Sequence, residues 1–166
     1  METMEQIPDQ KGGEKVLWAS RCSKTKTGKD RALPNEFYVS PLNLLFYTAM
    51  EKYGLRYGIC SDMYGMHMDD EYMDYYDVHP STLSHEQKRD LGLIIGRKTR
   101  EYGYEEIIFY NSSPLLSRPY FEMLWWADLP VYFISNIKLL DQKYGAPPTT
   151  KQKRGKTETI QQGNLF

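Results

Sequence analysis

The sequence predicts an α/β domain, Rossmann-like and three-layered, with a mostly parallel sheet of about four strands. Two observations predict it. Four short apolar runs without helical period, Val16–Ser20, Leu55–Cys60, Ile107–Tyr110 and Val131–Ile134, alternate with amphipathic segments that carry helix start and stop signals. Each run also ends abruptly in polar residues: Arg21-Cys22-Ser23-Lys24, Ser61-Asp62, Asn111-Ser112-Ser113 and Ser135-Asn136. Strands alternating with helices bury themselves best as a parallel sheet between helices. Right-handed crossovers then bring every strand–helix loop to one edge. In such sheets, ligands bind outside the carboxyl ends of the strands.

The elements follow in order. Residues 1–14 are polar, contain Gly12-Gly13, and read as a disordered lead-in to a domain spanning 15–145. Arg21 to Asn35 reads as a basic loop. Ser40 is a good N-cap and Pro41 suits the first helical position, where no N–H is needed. Leu42, Leu45, Phe46, Ala49 and Met50 form that helix's apolar stripe, and Gly54 closes it. Met63 to Pro80 is acidic, aromatic and irregular, with room for one short helix. Ser84 and Gln87 match a capping box for a helix ending near Tyr102, before Gly103. A third helix spans about 114–127, with Pro119 as a candidate interruption. Ile137 to Tyr144 reads as the last helix, closed by Gly145. Ala146-Pro147-Pro148 opens a basic linker, and 146–166 as a whole reads as linker plus C-terminal interaction peptide.

Composition narrows the function classes. A chain of 166 residues suits one domain with tails and can bury a core without staples. The formal net charge of −1 excludes whole-molecule attraction to nucleic acid, so any such attraction must be local. Two cysteines and no leader pattern suggest a reducing, cytoplasmic setting. No apolar run has the length of a bilayer span, so no membrane partner is expected.

The Cys22 loop is the first candidate site. It lacks the glycines of a P-loop or dinucleotide fingerprint. Its N–H groups, hydroxyls and ammonium groups suit a phosphate or carboxylate, with Ser23, Lys24 and Lys26 as anion binders. A neighbouring Lys24 or Arg21 would favour the Cys22 thiolate and make it a nucleophile. The plainer alternative is a small buried Cys beside solvated lysines. Cys60 ends the next strand, and a Cys22–Cys60 redox pair is a further alternative.

His67, His79 and His85 cluster with Asp69, Asp70, Asp74 and Asp77. Their spacing matches no compact ligand pattern, so no metal is assigned, and an acidic surface loop is the simpler reading. Within it, His67 and Asp77 are the candidates for general acid or base.

The tail carries Lys151, Lys153, Arg154 and Lys156 before Gln162-Gly163-Asn164-Leu165-Phe166. The basic residues offer a contact to DNA. A Gln followed by an adjacent Leu-Phe pair resembles the sliding-clamp-binding peptide of bacterial and phage DNA-metabolism proteins. That resemblance implies a Gln162 side-chain hydrogen bond and a Leu165-Phe166 pair filling an apolar pocket on the clamp. The alternative is a plain tail folding back on the domain.

A family resemblance rests on Cys22-Ser23-Lys24-x-Lys26, Phe37-Tyr38-Val39-Ser40-Pro41-Leu42, Ser61-Asp62-Met63-Tyr64-Gly65-Met66 and Tyr76-Asp77. From about Val16 to Leu140 the chain resembles a family of small α/β proteins of bacteria, archaea and phages, of uncharacterised activity. Members show a strand running into Cys-Ser-x-x-Lys, then Tyr-x-Ser-Pro-Leu, Ser-Ala-x-Tyr-Gly-Leu and Tyr-Asp. The chain is more distantly similar to the catalytic core of archaeosine synthase, which works on a deazaguanine base in tRNA. The resemblance implies roles for Cys22, Ser23, Lys24, Lys26, Tyr38, Ser40, Ser61, Tyr64, Gly65, Tyr76 and Asp77. It departs from the pattern where Lys26 is not followed by Pro-Tyr and where Asp62 replaces a small residue.

Together these readings favour an enzyme acting on a nucleobase, nucleoside or nucleotide, free or within DNA or RNA, recruited by a clamp-binding peptide. Cys22 would be nucleophile or ligand contact, Ser40 a phosphate or carboxylate holder, and Asp77 a polar anchor or base. Asp62 and Ser112 would join the ligand-binding edge. The alternative is a non-catalytic adaptor of DNA metabolism that binds a nucleotide or protein.

Overall fold

The computed structural model describes residues 2–3, 15–24, 26–77, 82–111 and 114–145. In chain order the elements are β1 (Glu2–Thr3), β2 (Val16–Arg21), β3 (Arg31–Ala32), α1 (Pro34–Phe37) and α2 (Pro41–Tyr53). They continue with β4 (Tyr57–Ser61), β5 (Gly65–Met68), β6 (Met73–Asp74), α3 (His85–Glu101), β7 (Glu106–Tyr110), α4 (Pro114–Trp125), β8 (Val131–Ile134) and α5 (Leu139–Tyr144). The architecture is α/β with a mixed, mostly parallel sheet. Five strands run in the order β8-β7-β2-β4-β5, and the two-residue β1 extends the β8 edge. β2 pairs in parallel with both β4 and β7, and β7 with β8, whereas β5 runs antiparallel to β4.

Local chemistry explains most of these elements. Val16 to Ser20 are all buried, so β2 has no solvated face and reads as a continuous apolar run. Ser40 caps α2 by accepting a hydrogen bond from the Asn43 N–H, and Gly54 closes the helix at φ 63°, a left-handed position that costs glycine nothing. Ser84 and Gln87 form the capping box that starts α3. Both caps stand where the sequence places them.

Several expectations are corrected. The 63–80 stretch holds no helix among its described residues. Instead Tyr64 turns the chain into β5, which pairs back onto β4 with Ser61 opposite Gly65 and Ile59 opposite His67. Gly65 makes that turn possible: its φ is 77°, and a Cβ there would meet the Leu91 carbonyl oxygen at 2.8 Å. The basic loop contains β3 and the start of α1, and β3 pairs antiparallel with β6. Neither two-residue strand has a periodicity to read. Glu2–Thr3, assigned to the disordered lead-in, pairs in parallel with β8. Pro119 does not interrupt α4. The helix forgoes one backbone hydrogen bond there, while Tyr120, Met123 and Leu124 bury themselves against the core. The last helix begins at Leu139, because the Asn136 side chain accepts the Lys138 N–H and holds a turn. Gly145 closes it in extended, not left-handed, conformation.

Strand order places the candidate site. From β2 the chain moves to β4 on one side, then returns across β2 to β7 and β8 on the other. The order therefore reverses between β2 and β7, the place where open α/β sheets leave a crevice at their carboxyl ends. Alternate residues of the strands meet different helices. Phe46 of α2 packs on Tyr57 and Tyr110, and Phe121 of α4 packs on Phe109 and Phe133.

Among the described residues, no helix is long and apolar enough to cross a membrane.

Candidate functional site

Beyond Arg21 the ladder continues for one bond, from the Cys22 N–H to the Cys60 carbonyl at 2.9 Å, and then β2 ends. This leaves Cys22 and Ser23 buried at the sheet edge. β4 ends beside it with Ser61 and Asp62, also buried. Asn43, fully buried on α2, ties that helix to the end of β2 by donating from Nδ2 to the Arg21 carbonyl at 2.9 Å. From α4, on the other side of the edge, comes the Tyr120 side chain.

Cys22, Tyr120 and Asp62 form a chain with a defined direction. The Tyr120 hydroxyl donates to Asp62 Oδ1 at 2.6 Å, and Cys22 Sγ lies 3.1 Å from the same hydroxyl. Because the phenol proton is committed to Asp62, the Cys22 thiol donates to the phenol oxygen. Electrostatics agree. Burial, reinforced by the Asp62 charge, pushes the Cys22 thiol up to about 12. Burial also raises the Tyr120 hydroxyl well above its ordinary value. At neutral pH both are protonated donors, and Cys22 is a thiol, not a resting thiolate.

A second chain runs from Ser61 to His67. The Ser61 hydroxyl accepts the N–H groups of Met63 and Tyr64, each at 3.1 Å, and donates to the Tyr76 oxygen at 2.9 Å. Tyr76 passes its proton to Tyr38 at 2.9 Å, and Tyr38 faces His67 Nδ1 at 3.4 Å. That leaves Nε2–H of His67 to donate to the Glu71 carbonyl at 2.6 Å. His67 is fully buried, and its burial pushes the imidazole below its ordinary range, so it is neutral. Burial likewise raises Tyr38 and Tyr76 above the ordinary phenol range. Lys26 sits with its ammonium 4.7 Å from the centre of the Tyr76 ring, and its backbone bridges to Tyr38.

The structure thus brings together Cys22, Ser23, Lys26, Tyr38, Ser61, Asp62, His67 and Tyr76 from the sequence candidates. Others have different placements. Lys24 and Asp77 are exposed. Ser40 uses its hydroxyl within the cap, donating to Asn43 Oδ1 at 2.7 Å. Tyr64 donates to the Asp74 carbonyl at 2.9 Å, and Gly65 serves the turn. His85 is exposed and paired with Glu122. Ser112, His79, the clamp-like residues Gln162, Leu165 and Phe166, and Lys151, Lys153, Arg154 and Lys156 lie outside the described residues. Cys22 and Cys60 are both free thiols. Among the described residues, no group of three His, Cys, Asp or Glu is placed to hold a metal ion. Sequence reasoning missed Tyr120 and Asn43. For Asn43 a signal existed, a polar residue on the inner face of a capped helix. For Tyr120 there was none short of the topology.

Next to this cluster, between the β4–β5 turn and α3, lies a cavity of about 290 Å³ with Asp62 in its wall. A larger hollow of about 530 Å³ opens beside Trp125 and Val131, at the amino end of β8 and away from the converging side chains. Size alone favours the second. Chemistry favours the first, since only there does a buried carboxylate meet apolar walls at the strands' carboxyl edge. No protein-family model, curated protein or solved structure matches the chain.

Proposed function

We propose that this protein binds a nucleobase, nucleoside or nucleotide at the carboxyl edge of its sheet and acts on it. The fold is read as Rossmann-like, with helices layered on both faces. The observation that carries the reading is the Cys22–Tyr120–Asp62 chain at the carboxyl edge of the sheet, with Asp62 in the wall of a base-sized cavity between the β4–β5 turn and α3. Asp62 is the group suited to accept a proton from the ligand, and Tyr120 positions its carboxylate. Lys24 and Lys26 would hold a phosphate. The resemblance carried by Cys22-Ser23-Lys24 and Tyr76-Asp77 supports the same ligand class. The setting proposed is cytoplasmic, and the C-terminal peptide is proposed to recruit the domain to a sliding clamp, with the basic residues before it touching DNA.

A second reading, a non-catalytic adaptor that binds nucleotide or protein, is favoured by one observation: Cys22 is a buried thiol held protonated, its partner Tyr120 already donating to Asp62. Calorimetric titration of the intact protein with nucleoside monophosphates tests the ligand. Micromolar binding, about −8 kcal/mol, that weakens at least about tenfold in Lys24→Ala/Lys26→Ala is expected. Absence of binding to every nucleotide tested removes the reading. The clamp half is tested separately with a purified bacterial sliding clamp: the intact chain should bind and Leu165→Ala/Phe166→Ala should not.

A further inference from the structure

Three side-chain polar atoms among the described residues are buried without a hydrogen-bond partner: Trp18 Nε1, Arg21 Nε and Ser117 Oγ. Such orphans are rare, because a buried donor left unpaired forfeits its bonds to water. Trp18 lies in the core against Tyr144. Arg21 and Ser117 belong to one place, which the register fixes. Ala19 of β2 stands opposite Phe109 of β7, and Phe109 packs on Phe121 of α4. Two residues on along a strand, the side chain returns to the same face. Arg21 and Asn111 therefore follow Ala19 and Phe109 beneath α4, one step nearer the carboxyl edge. Ser117 precedes Phe121 by four residues, so it shares that face of α4, one turn closer to the helix start at Pro114. α4 runs from the carboxyl edge, where Tyr120 meets Cys22, back to the amino end of β8, where Leu124 and Trp125 line the larger hollow. Its first turns thus cover Arg21 and Asn111 where the strand order reverses between β2 and β7.

All of these groups donate. A guanidinium N–H can do nothing else, and a hydroxyl rotates to suit its partner. The first-turn N–H groups of a helix have no acceptor within it and carry partial positive charge. Ser117 is 0% exposed, whereas Arg21 is only partly buried, so the place is reached from solvent along the Arg21 side chain. We propose that Arg21, Ser117 and the start of α4 bind a terminal phosphate. A planar carboxylate is saturated by the guanidinium fork alone. A terminal phosphate has three oxygens, enough for the guanidinium, the hydroxyl and the helix N–H groups together. Assigning that phosphate to a nucleotide rests on the reading above. The donor set itself suits inorganic phosphate equally.

The test is a phosphorus NMR titration of the full chain with inorganic phosphate and with uridine and adenosine monophosphates, in the parent, Arg21→Gln and Ser117→Ala proteins. Each substitution should weaken binding of both kinds of probe at least about tenfold. Sulfate, a tetrahedral dianion, should compete where chloride at equal ionic strength does not. Stability separates binding from a structural role. Ser117→Ala deletes an unpaired hydroxyl and installs the best helix former, so its urea midpoint should equal or exceed the parent's. A fall in that midpoint shows a hydroxyl already engaged within the protein and overturns the site. Nucleotide binding that neither substitution weakens overturns the proposal and leaves the nucleotide reading standing. Inorganic phosphate binding that both variants lose, with neither nucleoside monophosphate bound, keeps the site and removes the nucleotide reading. If neither kind of probe binds at millimolar concentration, the proposal fails.

Discussion

Tyr120→Phe isolates the link that joins α4 to the sheet edge. The substitution keeps the ring, and Tyr120 is only 3% exposed, so the apolar packing is unchanged. What is lost is the 2.6 Å hydrogen bond to Asp62 and the acceptor for the Cys22 thiol. A hydrogen bond to a charged group is worth roughly 1.5–3 kcal/mol, and the thiol bond adds little. The expected destabilisation is therefore about 2 kcal/mol, read as a shift of the urea midpoint at pH 7 with an unchanged slope. In a thermal scan it corresponds to about 4–8 °C for a chain of this size. A double-mutant cycle makes the test specific. With Asp62→Asn in place the acceptor is neutral, and Tyr120→Phe should then cost no more than about 1 kcal/mol. A Tyr120→Phe variant within about 0.5 kcal/mol of the parent, or one equally costly with and without the Asp62 charge, would refute the chain as described.

Other outcomes follow from the same geometry. With its thiol at about 12, Cys22 should alkylate at pH 7.5 at least about a thousandfold more slowly than the same cysteine in the unfolded chain, whose thiol titrates near ~8.5. Peptide mapping after iodoacetamide measures this, and a rate midpoint near pH 7 contradicts the protonated thiol. His67 is held below the ordinary imidazole range, so the unfolded chain takes up its proton first as pH falls. Stability is fully present above about 6.5 and should fall below it by up to about 1.4 kcal/mol per pH unit, a slope that His67→Gln should flatten. Gly92 and Gly96 of α3 lie against the carbonyl oxygens of Met123 and Ala127, where α3 and α4 meet backbone to backbone. Alanine at either should force the helices apart and cost about 1–3 kcal/mol by chemical denaturation. A neutral effect would contradict the close approach.

Much of the fold was legible because its signals are local. Ser40-Pro41 and Ser84 with Gln87 satisfy helix N–H groups within three residues, so the caps can be read in one dimension. The four buried parallel strands are short apolar runs because both their faces are covered. β5 was not legible. His67 and the methionines around it follow a turn that works only because Gly65 tolerates positive φ against the Leu91 carbonyl, a contact 26 residues distant. Pro119 is the converse: local chemistry predicts a break, and burial of Tyr120, Met123 and Leu124 overrides it.

The candidate site divides in the same way. The residue types at the strand ends, and their position on one edge, come from the sequence through the alternation of strands and helices. Tertiary structure alone decided what those residues are. Tyr120 and Asp62 stand 58 positions apart, and only the crossover to α4 puts the phenol between the thiol and the carboxylate. That juxtaposition turns Cys22 from the basic-loop thiolate its neighbours Arg21 and Lys24 suggest into a protonated donor. The ionisation of a buried group is set by its desolvation and by the charges folded against it, not by its neighbours in the chain.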